Sequence, residues 1–340
     1  MIGFLVRRTL FLALVVLGAL AVVFALAYVI PADPARAALG QDASEAQVRD
    51  YRQRMGLDDP LWIQFFRYVG RLTKGDLGIS IVTGNRVAED LREAVPATLE
   101  LVVPSVGVSL LFGVVLGTMS AVRRGRGLDH LSRVLSILGM SLPVFWFGLV
   151  LQLIFYKQLS WLPVGGRLAL TATPPDPVTG LYTVDALLAG DLRLCLEAAR
   201  HLILPVVTLS TVSVATVARI TRSSLRDVLG RDYVRTARSK GLSERVTIYK
   251  HALRNALIPV VTIFGLRVGI MLGGAVLTET IFAWPGIGRY AFYGLRQLDL
   301  PVVSAFVVYV TLAYALLNML VDASYSILDP RIRAGGSQQE

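Results

Sequence analysis

Apolar and polar residues fall in long blocks along this chain rather than alternating within short segments. Six stretches are apolar over roughly the 20 residues needed to cross about 30 Å of hydrocarbon. They run from Thr9 to Ile30, Thr98 to Val122, Val134 to Tyr156, Ile203 to Ile220, Ile258 to Phe282 and Val302 to Tyr325. Lipid offers no partner to backbone N–H and C=O groups, so each stretch is expected to be helical and the chain to be an all-α polytopic membrane protein. In the polar segment after the first stretch, Ser44 to Met55 reads as a short helix, with Ser44 as N-cap and Gly56 past its end. Leu61 to Leu72 reads as a second helix, amphipathic, with Trp62, Phe65, Phe66 and Val69 at helical spacing. A further excursion from Leu159 to about Leu202 carries Thr173-Pro174-Pro175-Asp176-Pro177, a turn-rich run expected to be irregular. The expected organisation is one helix plus a polar segment over residues 1–95, a five-helix bundle over 96–325, and a short polar tail over 326–340.

Composition supports the membrane reading. Hydrophobic residues make up 54% of the 340 positions and charged residues 17%, which departs from a soluble globular mixture. The formal net charge is +10, and its placement argues against nucleic acid as its cause. Between the second and third stretches stand Arg123, Arg124, Arg126 and Arg133 against Asp129 alone. Between the fourth and fifth stand Arg222, Arg226, Arg231, Arg235, Arg238, Lys240, Arg245, Lys250 and Arg254, against Asp227, Asp232 and Glu244. Positive loops stay cytoplasmic, so both termini are expected inside and the segment after the first helix outside. The same charges attract anionic lipid headgroups. Arg7 and Arg8 precede the first stretch as in a signal peptide, but the stretch is too long for one and Pro31 reads as the end of a retained helix. Cys195 is the only cysteine, which excludes an intrachain disulfide and thiolate metal clusters.

Nothing in the chain supplies chemical energy. A phosphate-cradling loop ends in Gly-Lys-Ser/Thr. The four lysines, Lys74, Lys157, Lys240 and Lys250, are followed by Gly75, Gln158, Gly241 and His251, and none follows a glycine. His130, His201 and His251 lie far apart, without an H-E-x-x-H or G-x-S-x-G pattern, so no catalytic residue and no metal ligand set is expected.

The most informative segment is Asp232-Tyr233-Val234-Arg235-Thr236-Ala237-Arg238-Ser239-Lys240-Gly241-Leu242, a short delimited helix on a cytoplasmic loop. Asp232 is expected to cap its first amides, Arg238 and Lys240 to sit at the negative end, and Gly241 to take the left-handed position after it. Ala237 is small enough for a partner surface to approach closely. Such a helix is either a lever between a cytoplasmic protein and the spans around it or a basic helix lying on lipid. Ala237, Gly241 and the later Ile258-Pro259 resemble the EAA motif of ABC importer permeases, with Arg235-Thr236-Ala237 where the motif has Glu-Ala-Ala. Further blocks are similar to the dipeptide, oligopeptide and nickel branch of that family. They are Arg54-Met55-Gly56-Leu57-Asp58-Asp59-Pro60-Leu61, Gly75-Asp76-Leu77-Gly78, Thr98-Leu99-Glu100-Leu101 and Trp161-Leu162-Pro163. Thr278-Glu279-Thr280-Ile281-Phe282, Trp284-Pro285-Gly286-Ile287-Gly288 and Leu328-Asp329-Pro330-Arg331-Ile332-Arg333 complete the series.

The resemblance implies the type-1 ABC importer permease fold with six transmembrane helices, in the first-permease branch. It implies a bacterial inner membrane, a homologous second permease, two ABC ATPase subunits carrying ATP and Mg, an extracytoplasmic solute-binding protein and no cofactor in this chain. Tyr233, Arg235, Thr236, Ala237, Arg238, Lys240, Gly241 and Leu242 would then form the ATPase-coupling loop. The implied function is half of a translocation pathway for small solutes, di- or oligopeptides first among them. A stand-alone secondary transporter or channel is the alternative, and predicts intramembrane acid or His relays and inverted repeats, which the sequence does not show.

Inside the membrane, Gly265, Gly269 and Gly273 recur every four residues and bare one face of the fifth span, either for packing within the chain or for a seam with the second permease. Gly113 and Gly117 do the same in the second span and are expected to serve intrachain packing. Arg267 lies mid-span, where charge is costly, and is expected to face the translocation path or the second permease. Glu279, near the outer end, is expected to be hydrated, and Pro143 and Pro205 to introduce fixed kinks.

Overall fold

The computed structural model describes residues 13–25, 36, 43–123, 125 and 127–328, with no side-chain detail from 320 onward. The chain separates into two compact units, Met1–Ala97 with Pro285–Leu312, and Thr98–Trp284 with Ala313–Glu340. Among the described residues four helices are long and apolar enough to span a membrane, or five if one bent pair counts as a single span. The first expected span is described only over α1, Ala13–Ala25. The rest of that stretch lies outside the described residues, as does most of the tail after residue 326.

The first unit contains α1, α2 (Glu45–Met55), α3 (Leu61–Thr73) and the start of α4 (Val87–Val122). It also contains α11 (Ile287–Arg296) and the start of α12 (Leu300–Leu328). The α2 boundaries follow local chemistry. Ser44 and Gln47 form a reciprocal capping box, and Gly56 ends the helix at φ +62°. Phe24 of α1 meets the ring of Phe65 on α3 edge-on at 5.4 Å, so part of the apolar face of α3 lies against an apolar helix, while Trp62 and Phe66 stay exposed. The core gathers Val87, Val302 and Ala305 with Leu77, Leu91 and Tyr290. Beside it, the buried Asp299 carboxylate accepts from Ser80 Oγ (2.7 Å) and from the amides of Ile81 (2.6 Å) and Val82 (3.1 Å), fixing that turn.

The second unit includes the short α7, Tyr182–Leu188, and is built around α8, Leu192–Leu229. At 38 residues it is about 57 Å long, far more than the lipid core needs, so it overruns its apolar stretch at both ends, starting at Leu192 in the excursion before it and ending at Leu229 in the basic loop after it. Within its apolar window 72% of residues are buried, against 33% for α4, which makes α8 the hub. Small residues bring its neighbours close. A Cβ at Gly113 would lie 2.6 Å from Val217, and one at Gly117 would lie 2.5 Å from the Ala218 carbonyl oxygen, so both glycines serve packing within the chain as expected. Val217 joins Val260, Phe264 and Val268 of α10 (Leu253–Ile281) in one apolar cluster. Buried hydroxyls bond back along the helix, as Thr208 Oγ1 does to the Leu204 carbonyl at 2.8 Å.

The third expected span is not one kinked helix. α5 (Gly127–Ser141) and α6 (Val144–Leu151, continued by wider π turns over Gln152–Gln158) meet at 107°. Pro143 has no N–H, disfavours helical backbone at Leu142 and itself sits extended (φ −60°, ψ 129°) as the N-cap of α6, so the helix stops and restarts. Pro205, by contrast, lies inside an unbroken α8.

Candidate coupling loop and membrane site

The lever segment forms α9, Asp232–Ser239. Its termination follows expectation. Gly241 has φ +78°, its amide donates to the Arg238 carbonyl (2.9 Å), and the Leu242 amide reaches back to the Ala237 carbonyl (3.4 Å). These are the two bonds of a Schellman end. Its start does not follow expectation. Arg231 is the N-cap, Asp232 is already helical, and no side chain caps the first amides. Asp232 instead pairs loosely with Arg235 at 3.5 Å while still suiting the positive helix end.

Ala237, expected to lie open to a close-approaching surface, is 8% exposed in this chain. It and Val234, three residues apart, are the buried residues of α9. Val234 is 0% exposed in a cluster with Ala121, Leu225, Ala252 and Ala256, which seats α9 on the ends of α4, α8 and α10. Tyr233 Oη accepts from Asn255 Nδ2 (3.0 Å), and Arg238 is bound to Glu244 at 2.8 and 3.3 Å. Arg235, Thr236, Lys240, Gly241 and Leu242 remain on the exposed outer side. A cleft of about 520 Å³ opens beside this platform, lined by Ala121, Arg222, Ser223, Arg226, Asp227, Leu229 and Gly230.

Above the platform lies a cluster that sequence reading missed. Asp129, 1% exposed, accepts from Ser120, the Gly125 amide, Arg133 and Arg222. The Ser120 hydroxyl, with the Gly125 amide and Arg222, holds its carboxyl well below the ordinary carboxylate range despite burial.

At the opposite end of the second unit, Glu100 and Arg167 form a buried ion pair at 2.6 Å. Glu100 also accepts from the Thr183 amide (2.7 Å) and hydroxyl (2.9 Å), and the Arg167 guanidinium lies 3.4 Å above the Tyr182 ring. The glutamate expected to be hydrated, Glu279, is 0% exposed and accepts from Thr98 Oγ1 at 2.7 Å. Just beyond it α10 ends in a second Schellman turn, with Ala283 at φ +49° and the Trp284 amide bonded to the Glu279 carbonyl (2.8 Å). Phe282 and Trp284, both 0% exposed, hold that turn, and Gly165 packs so closely that a Cβ there would lie 2.1 Å from the Phe282 oxygen. His201 Nδ1 lies 2.9 Å from the Gly165 carbonyl, a packing role rather than a catalytic one.

Within α10, Arg267 is half-buried and has no hydrogen-bond or ion-pair partner among the described residues. Gly265 is buried and Gly273 half-buried, while the bare face of Gly269 is taken by Tyr314 of the same chain, 2.3 Å from where a Cβ would stand. Among the described residues no group of three His, Cys, Asp or Glu side chains is placed to hold a metal.

These features meet in one family. Residues 113–334 match the family described as binding-protein-dependent transport system inner membrane component, and residues 1–102 match its N-terminal membrane component. The chain is 49% identical, over 96% of each partner, to the "Probable D,D-dipeptide transport system permease protein" of Escherichia coli K12. It is 42% identical to the dipeptide transport system permease protein of Alkalihalophilus pseudofirmus, over 98% of this chain and 100% of that one. Among solved structures, it matches a chain of the inward-facing MetNI methionine ABC transporter with a TM-score of 0.52 at 16% identity, covering 70% of this chain and 96% of the other, a likeness of fold. The chain therefore belongs to the binding-protein-dependent transport system inner-membrane component family, and is a multi-pass permease subunit of an ABC importer rather than an enzyme.

Proposed function

We propose that this chain is the first-permease subunit of a di- or oligopeptide importer, with both termini cytoplasmic and α9 as the element that contacts an ATPase subunit. The observation that carries the coupling part is the seating of α9. Val234 anchors it on three helix ends and Ala237 is buried beside it, while Arg235, Thr236, Lys240 and Leu242 stay exposed. A two-turn helix held that way moves as a body with α4, α8 and α10, which is what a lever requires. The peptide assignment is supported by relatives named for dipeptide transport.

The working unit is this chain, a homologous second permease, two ATPase subunits that hold ATP and Mg, and an extracytoplasmic binding protein that delivers the solute. Closure of the ATPase pair pulls α9, and the paired permeases change from inward- to outward-facing. Arg267 faces the shared path or the second permease. Its half-burial without a partner among the described residues supports this, because a charge left in lipid costs about 2.5–3.5 kcal/mol on insertion scales. The test is uptake of a labelled dipeptide into proteoliposomes. Uptake is expected only with ATP, both ATPase subunits and the binding protein present. Gradient-driven uptake by this chain alone would establish a stand-alone transporter instead.

A further inference from the structure

Asp129 lies in the first turn of α5, yet it is fastened to α8, the helix that leads into α9. Its buried carboxylate accepts from Ser120 Oγ (2.6 Å) near the end of α4, the Gly125 amide (3.1 Å) in the following loop, and Arg133 Nη2 (3.1 Å) one turn into α5. It also accepts from Arg222 Nε (2.9 Å) and Nη2 (3.3 Å) on α8. One side chain thus collects α4, the loop, α5 and α8. On its membrane side, α4 and α8 pack tightly where Gly117 meets the Ala218 carbonyl and the Thr221 side chain. On its cytoplasmic side, Ala121 and Leu225 join Val234 of α9, and Ser224 Oγ bonds the Ala256 carbonyl of α10 at 2.9 Å. The order along α8 is a tight contact, the ion pair, an apolar seat, then α9.

We propose that Asp129 is a positioning residue for the coupling helix. By gripping Arg222 it makes the cytoplasmic ends of α4, α5 and α8 one block, so a pull on α9 moves all three helices instead of bending the overhanging end of α8. Without that grip, the overhang of α8 is a compliant arm and hydrolysis runs ahead of transport. This rests on the reading of α9 as the ATPase-contacting element. A charge that only pinned the loop after α4 would affect assembly or stability and leave coupling unchanged.

The test uses the complete transporter in proteoliposomes and reads ATP hydrolysed per dipeptide moved, in complexes of normal subunit ratio. Asp129→Asn, which keeps the shape and removes the charge, is expected to raise that ratio about five-fold or more, the lower end of ordinary coupling between sites. Arg222→Lys, which keeps the charge and loses the two-point grip, moves it the same way by less, and Asp129→Glu restores most of it. Gly241→Asp is measured alongside. An unchanged ratio for Asp129→Asn beside an uncoupled Gly241→Asp overturns the positioning role and leaves the lever standing. A coupled Gly241→Asp removes the lever itself. Should Asp129→Asn fail to assemble, a normal ratio for Arg222→Lys overturns the proposal by itself.

Discussion

Replacing Gly241 separates two ways in which a residue at the end of α9 acts. A Cβ at Gly241 would meet no atom within 4 Å, so bulk is not the obstacle. The obstacle is φ +78°, a conformation that costs an ordinary L-residue about 1–2 kcal/mol. The strain falls on two bonds, Gly241 N–H to Arg238 and Leu242 N–H to Ala237, and relieving it unwinds the last turn of α9. An energy of ~1–2 kcal/mol shifts a two-state population by roughly 5- to 30-fold, enough to leave α9 without a defined end in much of the ensemble. Gly241→Ala therefore measures backbone strain alone, Gly241→Asn relieves part of it because Asn tolerates this region, and Gly241→Asp adds a negative charge at the negative helix end. Insertion and complex assembly are expected to be normal in all three. Dipeptide uptake per ATP hydrolysed is expected to fall in the order Gly, Asn, Ala, Asp, with the Asp variant uncoupled. Full transport by Gly241→Asp, or a loss with Ala no smaller than with Asp, would refute this account of α9.

Three further outcomes follow from buried groups. Arg167→Met strands the Glu100 carboxylate, 3% exposed, and is expected to cost about 3–5 kcal/mol, read as a lower unfolding temperature in detergent, whereas an unchanged temperature would show the pair to be idle. Arg267→Gln is expected to insert at least as well as the native chain but to transport dipeptide more slowly, and unchanged transport of every peptide tried would argue against a path-lining role. Asp185 is held below the ordinary carboxylate range although burial pushes it up, because the Thr179 hydroxyl and the amides of Thr179, Gly180 and Val178 donate to it. A lowered folded-state value stabilises above the unfolded value and is lost as pH falls, so hydrogen-exchange protection of residues 178–190 is expected to hold from neutrality to about pH 4 and fade below it. Asp185→Asn should lose that protection at every pH, and fading between pH 7 and pH 5 would contradict the assignment.

How far the fold could be read in advance differs by element. The Ser44 and Gly241 boundaries depend on neighbours within a few residues, and both stand where the chain pattern placed them. The apolar stretches marked where helix must occur but not where it ends. α4 starts at Val87 and α8 runs to Leu229, because outside the lipid a helix continues wherever tertiary contacts support it. Pro143 and Pro205 looked alike as prolines in apolar stretches. One breaks its helix and the other does not, since neighbouring packing decides whether the lost hydrogen bond ends the element.

The sequence by itself determined the class. A bilayer imposes one-dimensional rules of apolar length and loop charge that need no folded structure, and four lysines without a phosphate loop place the engine in another chain. It also marked α9 as a short, delimited helix, because charges and a terminal glycine at helix ends are local, and resemblance to the EAA motif is what made it the candidate for coupling. Only the tertiary structure decided which face of α9 is free, burying Val234 and Ala237 and seating Val234 against Ala121, Leu225, Ala252 and Ala256. Only it joined Glu100 to Arg167 across 67 residues and Asp129 to Arg222 across 93, and buried Glu279 against Thr98. Those pairings depend on which helices are neighbours, and helix adjacency is set by close approach at residues such as Gly117 and Gly165, not by any pattern along the chain.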